Sequence, residues 1–423
     1  MRFPIALALA SSLTAAQASV HVVDANAGPG HDFVQIHEAI AASVDGDTIL
    51  VRGGGYEPFT VDGKSLAITR EEGVDARVVG GSVTVRNLAP AQSVVIRGLR
   101  NVPAAEEGLV VEDCEGTVWF EECRWVGGSG KPAFSGARLL RAERAIFVHG
   151  VGLGGRGSGS LSDYSGATGG SGIHAESTNV YAWEMGLEGR RGGAGYGFAG
   201  SGGSGLYADT EPGITIFVAA SRLVGQDGGM SDGDYDFWCR CTICGYPGDG
   251  GDGITIEGPK TTNVIVRDNA YLPGAGGLTQ AIFDCNPGED GEDVGTKNPN
   301  TPVIEYAAGV PRFSSSNPTR EGQPLDLQSI GAPGDLVALL LATAPSAAWI
   351  DPWLGALGLL PPVSLLALGE VPASGTLATS FPAPALPPHL QAAVLFAQPV
   401  HLGADGTVEL STPSALFLLD AAL

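Results

Sequence analysis

Two runs of aspartate set among glycines carry the clearest chemistry in this 423-residue chain. QDGGMSDGDYDFW holds Asp227, Asp232, Asp234 and Asp236, and YPGDGGDGITIE holds Asp249, Asp252 and Glu257. Hard cations take oxygen ligands, and glycine-rich turns let backbone carbonyls join them. Asp232, Asp234, Asp236, Asp249 and Asp252 are therefore candidate calcium ligands. The D-x-D-x-D spacing from Asp232 is not an EF-hand, because Phe237 and Ile243 stand where glycine and glutamate are required. The competing reading is plainer: aspartate favours turns, and these carboxylates are solvated turn residues. A third acidic loop, with Asp284, Glu289, Asp290, Glu292 and Asp293, reads the same way. Glycosidic cleavage needs two carboxyl groups flanking one bond, which makes Asp249 and Asp252 candidate catalytic groups. His174 and His149, near glycine-rich turns, are candidate bases.

Aromatic residues gather in the same stretch. Trp183, Tyr207, Trp238 and Tyr246 are the candidate ligand-binding residues, with His174, Tyr181, Tyr196 and Tyr235 nearby. Their flat faces suit sugar rings, although core or turn packing uses the same residue types. Six cysteines, Cys114, Cys123, Cys239, Cys241, Cys244 and Cys285, predict three disulfides if the chain is exported. The CRCTIC cluster with Cys285 is alternatively part of a metal site, but lacks paired C-x-x-C spacing. Other motif matches fail: Gly152-x-Gly154-x-x-Gly157 has no following helix, and GGSGKP places Pro132 where a phosphate loop needs Ser or Thr.

Composition narrows the partners. The net charge is −23, with lysine only at positions 64, 131, 260 and 297. Such a surface repels phosphate backbones and anionic lipid, so neither nucleic acid nor a membrane surface is an expected partner. It also repels polyuronates unless a divalent cation bridges the like charges. Residues 1–18 read as a signal peptide: Arg2, an apolar run from Ile5 to Leu13, then Ala16-Gln17-Ala18 as a cleavage site. That run is too short to span a bilayer, and a secreted or cell-surface location is expected.

The elements that must position these residues repeat. GGSGIHAESTNVYAWEMGLEGRRGG, GGSGLYADTEPGITIFVAASRLVGQDGG and GGDGITIEGPKTTNVIVRDNAYLPGAGG align on Gly172, Gly205 and Gly253. A unit of roughly 25 residues with variable inserts is one coil of a solenoid. The longer second interval makes the Cys239–Cys244 region an insert. Upstream, SVTVRNL, SVVIRGLR, GLVVEDC and GTVWFEEC are strand-like and punctuated by Gly, Asn or Pro. Phe33, Ile36, Ile40 and Val44 form one helical stripe, predicting a helix over Asp32–Ser43 with Asp32 and Gln35 in capping-box spacing.

The segment DFVQIHEAIAASVDGDTILVRGGGYEP resembles the opening coil of secreted, right-handed parallel β-helix proteins, the pectin-lyase-like group. The resemblance implies an all-β fold: a right-handed parallel β-helix over residues 19–311, with the N-terminal helix capping its open end. It also implies an extracellular glycan or cell-surface component as partner. Asp249 and Asp252 sit at a coil start, where the β-helical polygalacturonases place their acids. Yet the group's N-T-D, adjacent Asp pair, G-H-G and R-I-K signatures are missing, as is the pectate-lyase R-x-P-x-x-R. Whether the chain is an enzyme thus stays open. A protein that binds or processes extracellular polysaccharide, and a non-catalytic surface or matrix protein, are both consistent with the sequence.

From about Pro311 glycine thins and proline-separated apolar runs take over: DLVALLLATA, SLLALGEV, AAVLFAQPVHL, ALFLLDAAL. Proline at this frequency breaks helices, and residues 312–423 are predicted to form a small, separate antiparallel β-sandwich, with Ser314–Pro324 as linker. They resemble C-terminal domains appended to bacterial secreted proteins.

Overall fold

Short strands with every second residue buried, such as Phe59–Asp62 and Ala76–Val79, must stack on a neighbour to cover their apolar edge. They do so coil upon coil. The computed structural model describes residues 18–423 apart from 161–163, 196, 232–233, 237–240, 244–245, 258–262, 279–285, 297–300, 307–308 and 352, and apart from the side chains of 234–236 and 241–243. The leader expected at residues 1–18 therefore falls almost wholly outside the described residues.

From Val20 to Tyr306 the chain winds as a parallel β-solenoid with three faces. The first face runs from Thr48–Val51 through Leu66–Arg70 and Ser93–Arg97 to Asn263–Arg267 and Val303–Tyr306. The second is an eight-stranded parallel sheet from Gly54–Tyr56 to Ala270–Leu272. The third runs from Phe59–Asp62 and Val83–Arg86 to Ile254–Glu257 and Val294–Thr296. Two long strands, Leu109–Glu121 and Ala137–Val148, turn the corner from the third face to the first. At the corners single residues enter the left-handed region: Asn87, Asp113, Arg141 and Ser177 along one edge, Glu122, His149, Glu184 and Ala220 along the other. Inside, Ile68, Ile96, Phe120 and Phe147 lie in register, with the two phenyl rings stacked at 5.2 Å. Gly172, Gly205 and Gly253 hold equivalent places on consecutive coils, since Ile173, Leu206 and Ile254 pair in register. The sequence repeat is the structural repeat.

The helix is shorter than expected, Ile36–Ala42, and packs Ile36, Ala39 and Ile40 against the first strands. The predicted Asp32–Gln35 box is replaced by one a turn later: Glu38 Oε2 accepts the Gln35 N–H at 3.0 Å. Asp32 is drawn instead to the Val22 N–H, 2.8 Å away, beside the first strand. Among the described residues no helix is long and apolar enough to cross a membrane.

Beyond Pro311, among the described residues, the strands pair antiparallel apart from Thr319–Arg320 beside Ser414–Leu419 and an isolated parallel bridge between Leu354 and Glu409. A three-stranded sheet (Arg312–Ser315, Pro324–Ile330, Thr376–Pro382) shares a leucine-rich core with a larger one built on Leu336–Ala342, Ala392–Leu402 and Ser414–Leu419. The expected linker is itself partly strand, at Arg312–Ser315 and Thr319–Arg320. The opposite side of the larger sheet lies on the solenoid's first face. There Trp119, Ile146, Tyr181, Trp183 and Phe217 meet Leu340, Phe396, Ala415 and Phe417. Trp119 and Phe396 touch edge to face at 5.1 Å. Buried polar groups fix the register of this contact. Glu121 accepts hydrogen bonds from Ser414 Oγ (2.7 Å), the Ala415 N–H (2.8 Å) and Trp119 Nε1 (3.0 Å). Arg97 donates to the Asn317 carbonyl at 2.6 Å, and Arg267 pairs with Glu409 at 3.1 Å.

Candidate functional site

Glycine pairs followed by one other residue, as in GGSGG, give a three-residue period that is neither helix nor pleated strand. From the fourth coil onward, each coil leaves the second face along such a run and returns along another to the third face. The outbound runs include 153–159, 188–195, 224–231 and 272–278; the return runs include 166–172, 199–205, 248–253 and 288–293. Like runs bond to one another: the Gly189 N–H to Val224 O (2.8 Å), the Gly192 N–H to Asp227 O (3.2 Å), the Gly202 N–H to Asp249 O (2.8 Å). Unlike runs are joined by a zigzag at the next residue: Gly170 to Gly155, Arg190 to Gly170, Gly203 to Arg190, Gln226 to Gly203 and Gly251 to Gln226, at 2.8–3.1 Å. A three-residue period with hydrogen bonds between runs and none within them is what polyproline-II chains offer, since such a helix has no internal hydrogen bonds and leaves its backbone free for neighbours. A Cβ at Gly170, Gly203, Gly251 or Gly291 would collide with the carbonyl of Phe134, Gly170, Gly203 or Gly251 on the preceding return run. None of these four has a positive φ, so close approach alone requires glycine there.

The third residue of the triplets lies toward the outside of the array, exposed at Thr168 and Asp249 and buried at Ser204, and here the candidate residues gather. Thr168 and Ser171, then Ser201 and Ser204, then Asp249 and Asp252, then Glu289 and Glu292 line one wall of an open trough of about 590 Å³. Tyr207, Thr255 and Glu257 of the third face form the other. His174, one coil upstream, meets Tyr207 edge to face at 4.7 Å. Its Nε2 lies 3.6 Å from Glu176, which Arg138 also engages at 3.1 Å. Burial holds the His174 imidazole below its usual pKa despite Glu176, so it is neutral near pH 7. Burial, then the Asp209 and Glu176 charges, raise the Tyr207 phenol, which keeps its proton.

Asp249 and Asp252 are drawn into holding the next coil. Asp249 Oδ1 accepts the Glu289 N–H at 3.0 Å and Asp252 Oδ1 the Glu292 N–H at 2.8 Å. Asp252 Oδ2 accepts Thr255 Oγ–H at 2.7 Å. Among the described residues no three His, Cys, Asp or Glu side chains are grouped to hold a metal. Asp232 lies outside the described residues; Asp234 and Asp236 fall on a strand paired with Cys241–Ile243, and their side chains lie outside them too.

Trp183 does not face a ligand. It is 1% exposed, 5.1 Å from Phe217 beneath the C-terminal sheets, because the first face is the covered one. Tyr246 is exposed at the far end of the array, and Trp238 lies outside the described residues. Cys114 and Cys123 depart from the disulfide expectation. Both are free thiols buried in the coil interior, donating to Val85 O and Ile96 O, where burial pushes their pKa up to about 11 and 12. Cys239, Cys244 and Cys285, and the side chain of Cys241, are outside the described residues.

Two groupings had no signal in the sequence. Tyr164 and Phe198 join Tyr246 at the tips of the array. In the C-terminal unit, His401 Nε2 lies 2.9 Å from Ser329 Oγ, with Asp335 3.6 Å from its other nitrogen. The order suggests a nucleophile triad, but Ser329 and His401 are 1% and 0% exposed, so no substrate reaches them and the contact is structural.

No family model and no curated relative matches the chain. Among solved structures, pectate lyase Pel9A is 13% identical over 70% of this chain and 80% of its own, with a TM-score of 0.21. The receptor-binding protein of bacteriophage Det7, a podoviral tailspike in a myovirus, is 12% identical over 94% and 97%, with a TM-score of 0.15. A superoxide reductase (neelaredoxin) from Ignicoccus hospitalis is 10% identical over 26% and 80%, at 0.16. Likeness this slight carries no argument, and the architecture rests on the chain's own strand register.

Proposed function

We propose that this protein is an exported glycan-binding solenoid that holds a neutral polysaccharide along the trough. The observation that supports it is the lining. The Ser201 hydroxyl, the carboxylates of Asp252 and Glu257 and the ring of Tyr207 share one open channel parallel to the coil stack, while the Ser204 and Thr255 hydroxyls, buried beneath it, bond to each other at 2.5 Å. Such a channel offers a polyol both hydrogen-bond partners and an aromatic surface. Its acidic wall disfavours a polyanion. Processing of the glycan has less support, since Asp249 and Asp252 each commit an oxygen to the neighbouring coil's backbone. That same commitment favours the second reading, a rigid non-catalytic spacer in a surface or matrix assembly.

Glycan-array binding with parallel reducing-end assays, with and without calcium, separates the readings. Binding to a neutral polysaccharide that Tyr207→Ala weakens about tenfold is the expected result, tenfold being about 1.4 kcal/mol. No binding across neutral and acidic glycans would leave the spacer. Release of reducing ends would establish processing instead.

A further inference from the structure

Among the described residues only three aromatic side chains are exposed, and all three meet at one place. Tyr164, Phe198 and Tyr246, at 70%, 44% and 63% exposure, come from three successive coils at the ends of the glycine runs, away from the solenoid core. Phe198 and Tyr246 stack at 4.9 Å, 6° from parallel, and Tyr164 meets Phe198 at 5.7 Å and 66°. The backbone beneath is bonded on both sides: the Phe198 N–H to Tyr164 O (3.0 Å), the Ala199 N–H to Tyr246 O (2.8 Å) and the Tyr246 N–H to Gly197 O (2.8 Å). The main chain that carries the rings is therefore fixed on both sides, and the rings rest on one another. Exposed aromatics on a water-facing tip are otherwise a liability, and a cluster of them marks a contact site.

We propose that this three-ring tip is a second carbohydrate-contact site, seating one or two neutral sugar rings end-on to the array. The proposal rests on the glycan reading and adds a place of contact separate from the trough. The size of the patch argues for a sugar over a protein partner. At ~150–250 Å² for each whole aromatic side chain, the three exposed fractions present about 250–450 Å². A stable protein interface takes about 800 Å² from each partner. Gly195, Gly197, Gly200 and Gly248 neighbour the rings in the chain, and among the described residues the exposed apolar side chain that follows on the next outbound run is Leu278. The chain's net charge of −23 disfavours acidic sugars.

The test titrates the full chain with neutral oligosaccharides (glucan, mannan, xylan and galactan hexamers) and their uronic-acid counterparts by calorimetry. It compares Tyr164→Ala/Tyr246→Ala, Phe198→Ala and Tyr207→Ala, with circular dichroism and melting temperature as folding controls. The expected result is a tenfold or greater loss of affinity for a neutral oligosaccharide in the double tip variant, at unchanged melting temperature. Full affinity in both tip variants with loss only in Tyr207→Ala would overturn the tip site and leave the trough standing. Binding of acidic oligosaccharides alone would overturn it on charge. No binding by the parent chain would remove the glycan reading and the tip site together.

Discussion

Replacing Gly203 by alanine distinguishes a glycine array from glycine-rich loops by the sign of the effect. Gly203 lies mid-way along a return run, its N–H bonded to Arg190 O at 2.8 Å and its carbonyl accepting the Gln226 N–H at 3.1 Å. A Cβ there would collide with the Gly170 carbonyl and lie 2.8 Å from Gly169 O, backbone atoms that no side-chain rotation can move aside. Gly170 O in turn holds the Arg190 N–H at 3.0 Å. Overpacking of this kind costs about 1–3 kcal/mol. Lengthening two of the attached backbone hydrogen bonds adds about 1 kcal/mol each. The expected loss is thus ~3–5 kcal/mol, summed from those two effects. A loop glycine of ordinary φ would respond the other way, alanine stabilising by ~0.4–1 kcal/mol through the unfolded chain. Urea unfolding followed by circular dichroism measures the difference. Hydrogen exchange over residues 166–172 and 199–205 locates it, because the amide protection there should fall first. Ser201→Ala, on the outward position of the same run, should stay within ~0.5 kcal/mol of the parent. A Gly203→Ala protein as stable as the parent, or more so, would refute the close-packed array.

Two more outcomes follow from the buried polar contacts. Glu121→Ala strips the acceptor from Ser414, Ala415 and Trp119 and leaves Arg97 with one buried carboxylate fewer, a loss of ~3–5 kcal/mol by analogy with other broken buried pairs. Limited proteolysis should then cut between the solenoid and the C-terminal unit, and resistance equal to the parent's would show the contact to be incidental. For His401, burial depresses the folded pKa below the unfolded value of about 6.5, against the opposing pull of Asp335. The unfolded chain therefore binds more protons in that window, so this stabilisation is complete above about pH 6.5 and is lost as pH falls through the depressed folded pKa. His401→Gln should flatten that slope in a pH series of melting curves; an unchanged slope would exclude His401 as its source.

What the residues alone determined is local and periodic. Alternating runs and recurring Gly172, Gly205 and Gly253 specify parallel coils, because each coil must bury the same edge in the same way. Proline-separated apolar runs after Pro311 specify antiparallel strands for a similarly local reason. The glycine triplets were legible as composition but read as turns. Their hydrogen bonds join residues on different coils, and no short window contains both partners. Long-range packing also decided the fate of the aromatics. Trp183 and Tyr207 both sit on coil strands with aromatic neighbours, yet the C-terminal sheets cover the first face and leave the third open. Cys114 and Cys123 point into the coil interior rather than toward a partner thiol, and the side of the strand, not the redox compartment, sets that. His401 acquired Ser329 and Asp335 only when strands far apart in sequence were brought together. Period and composition reach as far as one coil; which face is buried, and beneath what, depends on contacts made across the whole chain.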